Sequence, residues 1–257
     1  MEYFIICSVA FLISGLSLFS GFGLGTVLLP VFAVFFPIYI AVTLTAIVHL
    51  SNNIFKFILL GRYADRKAVF QFGIPAVLAA IAGAKVLFWL SELKPLVQYQ
   101  LSGYIFKITP VKLIVAILMI LFAFIEIAPR FEKLSFQKKY LPLGGILSGF
   151  FGGLSGHQGA LRSAFLMKSG LGKESFIATG VAISCLVDFS RIFIYSGYFP
   201  SIIKSNSMVL LMSAILSAFL GAFIGNRLLN KITMRVIRLI VAILLITIAI
   251  ALGIGII

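Results

Sequence analysis

Residues 153–165, GLSGHQGALRSAF, set His157, Gln158 and Arg162 among Gly153, Gly156 and Gly159, with apolar sequence on either side. In hydrocarbon, each unpaired polar group costs roughly 2–7 kcal/mol, so a polar cluster in such a setting points to a ligand. Two further cations, Lys56 and Arg191, stand inside apolar runs, and Asp188 precedes Arg191 by three residues, on the same helical face. Asn52, Asn53, Ser51 and His49 add neutral donors beside Lys56. Three fixed cations, amides, a histidine and one carboxylate suit a small, oxygen-rich anion, with Asp188 or His157 as a candidate for proton coupling. A metal is poorly served, because no His or Cys pair has ligand spacing and the local charge repels cations. Plainer roles compete with these: Lys56 snorkelling to an interface, Arg191 and Asp188 as a structural pair, and His49 as a packing donor. Lys85, one turn from Trp89, reads as a rim residue that snorkels.

The elements that must hold these residues follow from composition. The chain has 257 residues, 61% of them hydrophobic and 11% charged, which marks an integral membrane protein. Apolar runs near the roughly 20 residues of a spanning helix lie at about 38–60, 68–90, 111–128, 175–195, 207–225 and 237–257. The stretch at about 3–36 reads as retained in the membrane, since Glu2 stands where a signal peptide would carry Lys or Arg. The net charge of +14 sits in short loops with no aromatic-interleaved basic face, which argues against nucleic acid as a partner. Cys7 and Cys185 lie inside apolar runs and serve as small hydrophobes. No ATP-binding motif is present, so any energy the protein draws on comes from gradients or a partner.

The chain also repeats itself. NIFKFILLGRY (53–63) aligns with DFSRIFIYSGY (188–198), setting Asn53 opposite Asp188 and Lys56 opposite Arg191, while SGFGLGTVLLP (20–30) falls against LSGHQGALRSA (154–164). Glycines break both upstream segments, Gly21, Gly23 and Gly25 in one and Gly153, Gly156 and Gly159 in the other. Treating each broken segment as a return hairpin puts thirteen loop cations on one face: Arg62, Arg66, Lys67, Arg130, Lys133, Lys138, Lys139, Lys168, Lys173, Arg227, Lys231, Arg235 and Arg238. Only Lys94, Lys107, Lys112 and Lys204 fall on the other. A bias of that size satisfies the positive-inside rule, whereas single crossings give none. Two crossings per segment would give the same sides, and that choice stays open. The expected architecture is therefore an all-α polytopic membrane protein: six spanning helices plus two broken or re-entrant glycine-rich hairpins, arranged as an inverted repeat of residues 1–130 and 140–257 within one transmembrane domain, with both termini outside. Hairpin tips at Gly21, Gly23, Gly25, Gly156 and Gly159 would bring two half-helix N-termini to the midplane, where their N–H groups favour an anion.

The motifs GFGLGTVLLP, GHQGALRSAFL and FIATGVAISCLVDFSR together resemble the sulfite exporter TauE/SafE family of membrane transporters over nearly the whole chain. The family commonly carries three consecutive glycines where this chain has Gly23, Leu24, Gly25 and His157, Gln158, Gly159. The resemblance implies export or permeation of small sulfur-containing or carboxylate anions, such as sulfite or sulfonates, across the bacterial inner membrane. The expectation is thus a secondary transporter, not an enzyme, without cofactor. Its partners would be a small anionic substrate and the lipid bilayer, with a homo-oligomer left open. Expected substrate contacts are Lys56, His157, Gln158, Arg162, Arg191, Asn52 and Asn53. An anion channel shares every one of these residues. An intramembrane serine hydrolase, with Ser155 of GLSG as nucleophile and His49 or His157 as base, is a distant alternative. The charge asymmetry carries its own test: an impermeant maleimide should label a cysteine at Ser205 from outside and one at Lys138 only from inside, and equal labelling from one side overturns the topology.

Overall fold

The computed structural model describes residues 2–20, 23–101, 103–128, 135–204, 207–228 and 234–257; Gly21, Arg130, Lys133, Ser205 and Lys231 lie outside them. Almost all of the described chain is helical: α1 (Glu2–Ser20), α2 (Leu24–Phe35), α3 (Ile38–Leu60), α4 (Arg66–Glu92), α5 (Pro110–Ile127), α6 (Leu141–Ser155), α7 (Gly159–Leu166), α8 (Lys173–Tyr195), α9 (Phe199–Lys204), α10 (Ser207–Leu228) and α11 (Met234–Gly253). Four stretches, Ile38–Tyr63, Arg66–Glu92, Lys173–Tyr198 and Ser207–Ile224, are long and apolar enough to cross a membrane. The expected spans near 111–128 and 237–257 do form helices, but their apolar stretches, Pro110–Ile125 and Leu239–Gly253, are shorter.

Local chemistry sets several ends. The Asp65 side chain caps α4 by accepting from Ala68 N at 2.6 Å, and Thr109 caps α5 by accepting from Lys112 N, with Pro110 in the first turn where its missing N–H is harmless. α6 stops at Gly156, whose φ of 79° favours glycine, and α7 restarts at Gly159. α1 and α2 are separated in the same way around Gly23, at φ 131°. In each pair the second limb is short: 12 residues in α2 and 8 in α7, or about 18 and 12 Å at the helical rise, well under the hydrocarbon thickness.

At the closest helix contacts small residues face inward while large ones nearby point outward, the pattern expected when lipid is the solvent. On α4, Ala68, Ala76 and Ala80 are buried, while Phe70, Ile74 and Leu78 are exposed. Gly145, Gly149 and Gly153 of α6 recur every fourth residue and lie directly on that alanine face. A Cβ added at any of them would stand 2.1–2.2 Å from the carbonyl oxygens of Phe72, Ala76 and Ala80 in turn. A Cβ on Gly83 of α4 would meet Phe150 O as closely, and one on Gly221 of α10 would meet Phe11 O of α1 as closely again. The main helix pairings are α4 with α6, α1 with α10, α5 with α11, and α8 with both α3 and α4. Each pair joins one element from residues 1–130 to one from 140–257.

One element was not anticipated. An antiparallel hairpin, β1 (Val97–Leu101) and β2 (Tyr104–Ile108), fills the segment between the expected spans at about 68–90 and 111–128. Tyr99 donates to Ile254 O at 2.5 Å, fastening the hairpin to the end of the chain.

The glycine strip gives a stability prediction. Gly149→Leu forces α4 and α6 apart and should lower the melting temperature in detergent by roughly 5 °C or more. Gly172→Ala, at a glycine with open space around it and no positive φ, should leave it unchanged. Equal melting of both variants would refute the close packing.

Candidate anion site

Two helices carry the polar residues at matching intervals. α3 presents His49, Asn53 and Lys56, and α8 presents Ser184, Asp188 and Arg191, each set at i, i+4 and i+7 and so on one face. The helices pack against one another, and the sets meet at the Asp188 carboxylate, which is fully buried. Its Oδ2 lies 2.6 Å from His49 Nδ1 and accepts from Asn53 Nδ2 at 3.2 Å. Its Oδ1 accepts from Gln158 Nε2 at 3.0 Å and from Arg191 Nε at 3.1 Å, with Arg191 Nη2 at 2.8 Å in the same ion pair. A buried carboxylate is tolerable only when its lone pairs are filled in this way.

The helix breaks complete the site. The cavity between α2, α3, α7 and α8 is lined by Gly23–Thr26 at the start of α2, by Gly156, Gln158 and Gly159 at the start of α7, and by His49, Asn53, Lys56, Arg162, Ser163 and Gly180. It opens about 50 Å³ to the centre of a water-sized sphere, room for a few waters or for an anion of a few heavy atoms. The first intrahelical bonds are Val27 N to Gly23 O and Arg162 N to Gln158 O. The N–H groups before them therefore have no acceptor within their helices, at the positive end of each dipole. The breaks also approach each other: a Cβ on Gly25 would sit 3.6 Å from Gly156 O and 3.4 Å from His49 Cδ2. Lys56 is 4% exposed and Arg162 7%, so Lys56 does not snorkel to a lipid-facing surface. Arg162 lies against Gly180 and donates to Ser184 Oγ and, at 3.4 Å, to Gln158 Oε1.

Of the expected substrate contacts, Lys56, Asn53, Gln158 and Arg162 line this cavity, together with Gly23, Gly25, Gly156 and Gly159. Arg191, His157 and Asn52 stand behind its wall. Arg191 turns to Asp188 and donates from Nη1 to Gly152 O at 3.0 Å, and Tyr195 next to it donates to Gly153 O. His157 stacks on Phe122, ring centroids 5.1 Å apart, with Nδ1 3.1 Å from Ser155 Oγ. Asn52 accepts from Ser14 of α1 at 2.9 Å. Ser155 is itself buried and donates to Phe151 O of its own helix, so neither it nor His157 is presented to the cavity as a nucleophile and base would be. Lys85 is exposed beside Trp89 and Glu92 in a shallow groove between α4 and α8, as a rim residue would be. His49 holds a more central place than its type alone suggested. The signal available in the sequence was the shared i, i+4, i+7 spacing of His49, Asn53, Lys56 and Ser184, Asp188, Arg191.

Apolar helices without a polar outer face, enclosing a buried polar centre, define a multi-pass membrane protein. The chain belongs to the sulfite exporter TauE/SafE family, whose model matches residues 6–252. No curated protein sequence and no solved structure matched it.

The Asp188 network predicts a specific coupling. Arg191→Met leaves the carboxylate short of its counter-charge and should destabilise by about 3–5 kcal/mol, while adding Asp188→Asn should recover much of that loss. Thermal unfolding of the single and double variants measures it, and purely additive losses would deny the pair its structural role.

Proposed function

We propose that the protein is a secondary transporter, an exporter or permease, of a small anion such as sulfite or a sulfonate, working by alternating access around the cavity between α2, α3, α7 and α8. One observation carries this reading: Lys56, Arg162 and the N-termini of two broken helices face the same small buried space. Each favours negative charge, and a discontinuous helix aiming its N-terminus at a substrate is a recurring device of transporters. Family membership supports the anion class.

In this reading the chain has six spans and two re-entrant broken helices, arranged as an inverted repeat in the bacterial inner membrane with both termini outside. The helix pairings support the repeat. Matching α1–α5 in order with α6, α7, α8, α10 and α11 turns the α4–α6 pair into the α10–α1 pair and maps α3–α8 and α5–α11 onto themselves. That is the behaviour of a two-fold axis. Lys56, Phe176 and Ile177 line the cavity at the C-terminal end of α3 and the N-terminal end of α8. The equivalent region around Arg191 is closed by the bonds of Arg191 and Tyr195 to Gly152 O and Gly153 O. Lys56, Arg162, Gln158 and Asn53 are assigned to the substrate, and Arg191 and Asp188 to the scaffold behind it.

Counterflow of radiolabelled sulfite in proteoliposomes, saturable and competed by sulfonates, is the direct test. Linear, unsaturable flux would instead indicate a channel. Arg162→Gln and Lys56→Gln should each weaken sulfite binding about tenfold or more, the worth of one charge-assisted hydrogen bond, while leaving the ligand-free melting temperature unchanged or raised. A variant that melts early yet binds sulfite normally would return that cation to a structural role.

A further inference from the structure

The polar centre contains one titratable side chain that touches both the cavity and the buried carboxylate. His49 has Nδ1 2.6 Å from Asp188 Oδ2, its Cδ2 edge faces Gly25 at the start of α2, and it lines the cavity with a side chain 12% exposed. Asp188 itself is sealed from the cavity by its four partners, and His157 is turned onto Phe122. We propose that His49 carries a proton together with the anion, with Asp188 as its fixed counter-charge; this rests on the anion-transport reading above.

The argument is one of geometry and charge balance. With Nδ1–H donated to Asp188, the neutral imidazole keeps its second nitrogen, Nε2, for an exchangeable proton, its one neighbouring donor being Asn53 Nδ2 at 3.4 Å. Neutral imidazole plus a proton from water on one side gives imidazolium, and release to water on the other side restores it, with no further reactant. The charged groups facing His49 are Asp188 and Arg191 from α8, Arg162 from α7 and Lys56 from its own helix. α2 offers only Gly23, Leu24, Gly25 and Thr26 to the cavity, and the described side chains of α10, which also packs on α3, include no titratable group. Three cations against one carboxylate already leave the centre positive. A further charge on the imidazole is resisted when the cavity holds no anion and favoured when it does, so each ligand promotes the other. Proton and anion then travel in the same direction. The repeat sharpens the assignment, since the position equivalent to His49 is Ser184, which accepts from Arg162. Only one of the two halves supplies a titratable group at this place.

The test uses the full-length protein in proteoliposomes, with radiolabelled sulfite at pH 8 and with isethionate, a sulfonate that does not itself titrate. With whichever probe shows counterflow, the parent should accumulate the anion several-fold when an inward proton gradient is imposed. In His49→Gln the gradient-driven accumulation, taken relative to whatever counterflow the variant shows at equal pH, should fall to none above equilibration. His49→Ser, which introduces the residue of the other half, supplies the same comparison if the glutamine variant does not fold. Accumulation retained in either variant, or absent in the parent although counterflow is present, overturns the coupling and leaves the anion reading standing. Absence of counterflow in the parent with both probes overturns the anion reading, and this inference with it.

Discussion

The buried carboxylate of Asp188 is the interaction on which the rest of the centre depends. A carboxylate with no access to solvent must have its lone pairs filled, and here the donors come from three separate parts of the chain: His49 and Asn53 on α3, Gln158 in the break before α7, and Arg191 on its own helix. Each donor is held in one orientation by the same acceptor. That fixes the rotation of α3 against α8 and sets the α6–α7 break beside them. Lys56 and Arg162 owe their positions to this arrangement, because each lies one or two turns from a residue that Asp188 anchors. The cations that face the cavity are thus placed by an anion that does not.

Much of this was legible in the sequence, for identifiable reasons. The breaks at Gly23 and Gly156 are written in residue type, since both positions adopt dihedrals that side chains resist. Lys56, Gln158 and Arg162 were marked by being costly in an apolar stretch. What the sequence did not disclose is direction around the helix axis. Arg191, His157 and Asn52 are as polar and as deeply placed as the residues facing the cavity, yet they turn to Asp188, Phe122 and Ser14. Which way a buried polar group turns is settled by partners far away in the chain, and a spacing rule knows only near neighbours. The hairpin at 97–108 escaped notice for a related reason. VQYQL does alternate strictly, but over only five residues, and its partner YIFKI alternates only at its end, so the pair is a short signal beside long apolar helices.

The packing between helices follows a different economy from that of a water-soluble core. Burying a large side chain gains little when lipid is the alternative, so the close contacts are made by the smallest residues, with backbone against backbone. Gly145, Gly149 and Gly153 against the alanine face of α4 show this, and Gly221 against Phe11 shows it again between α1 and α10. Large side chains such as Phe70 and Leu78 lie on the outer surface of the same helix whose alanines make the contact.

These cross-chain contacts carry a consequence for how the protein is made. α1 emerges first, but the groove against which its backbone rests belongs to α10, some two hundred residues later. α4 likewise has no partner for its alanine face until α6 has been synthesised. Through most of translation, then, the first helices stand in the bilayer with their narrowest faces bare to lipid, and any other helix bearing a small-residue strip competes for them. The close fit that holds the finished molecule is also what leaves the growing chain open to mispairing, until its last quarter arrives to occupy the place kept for it.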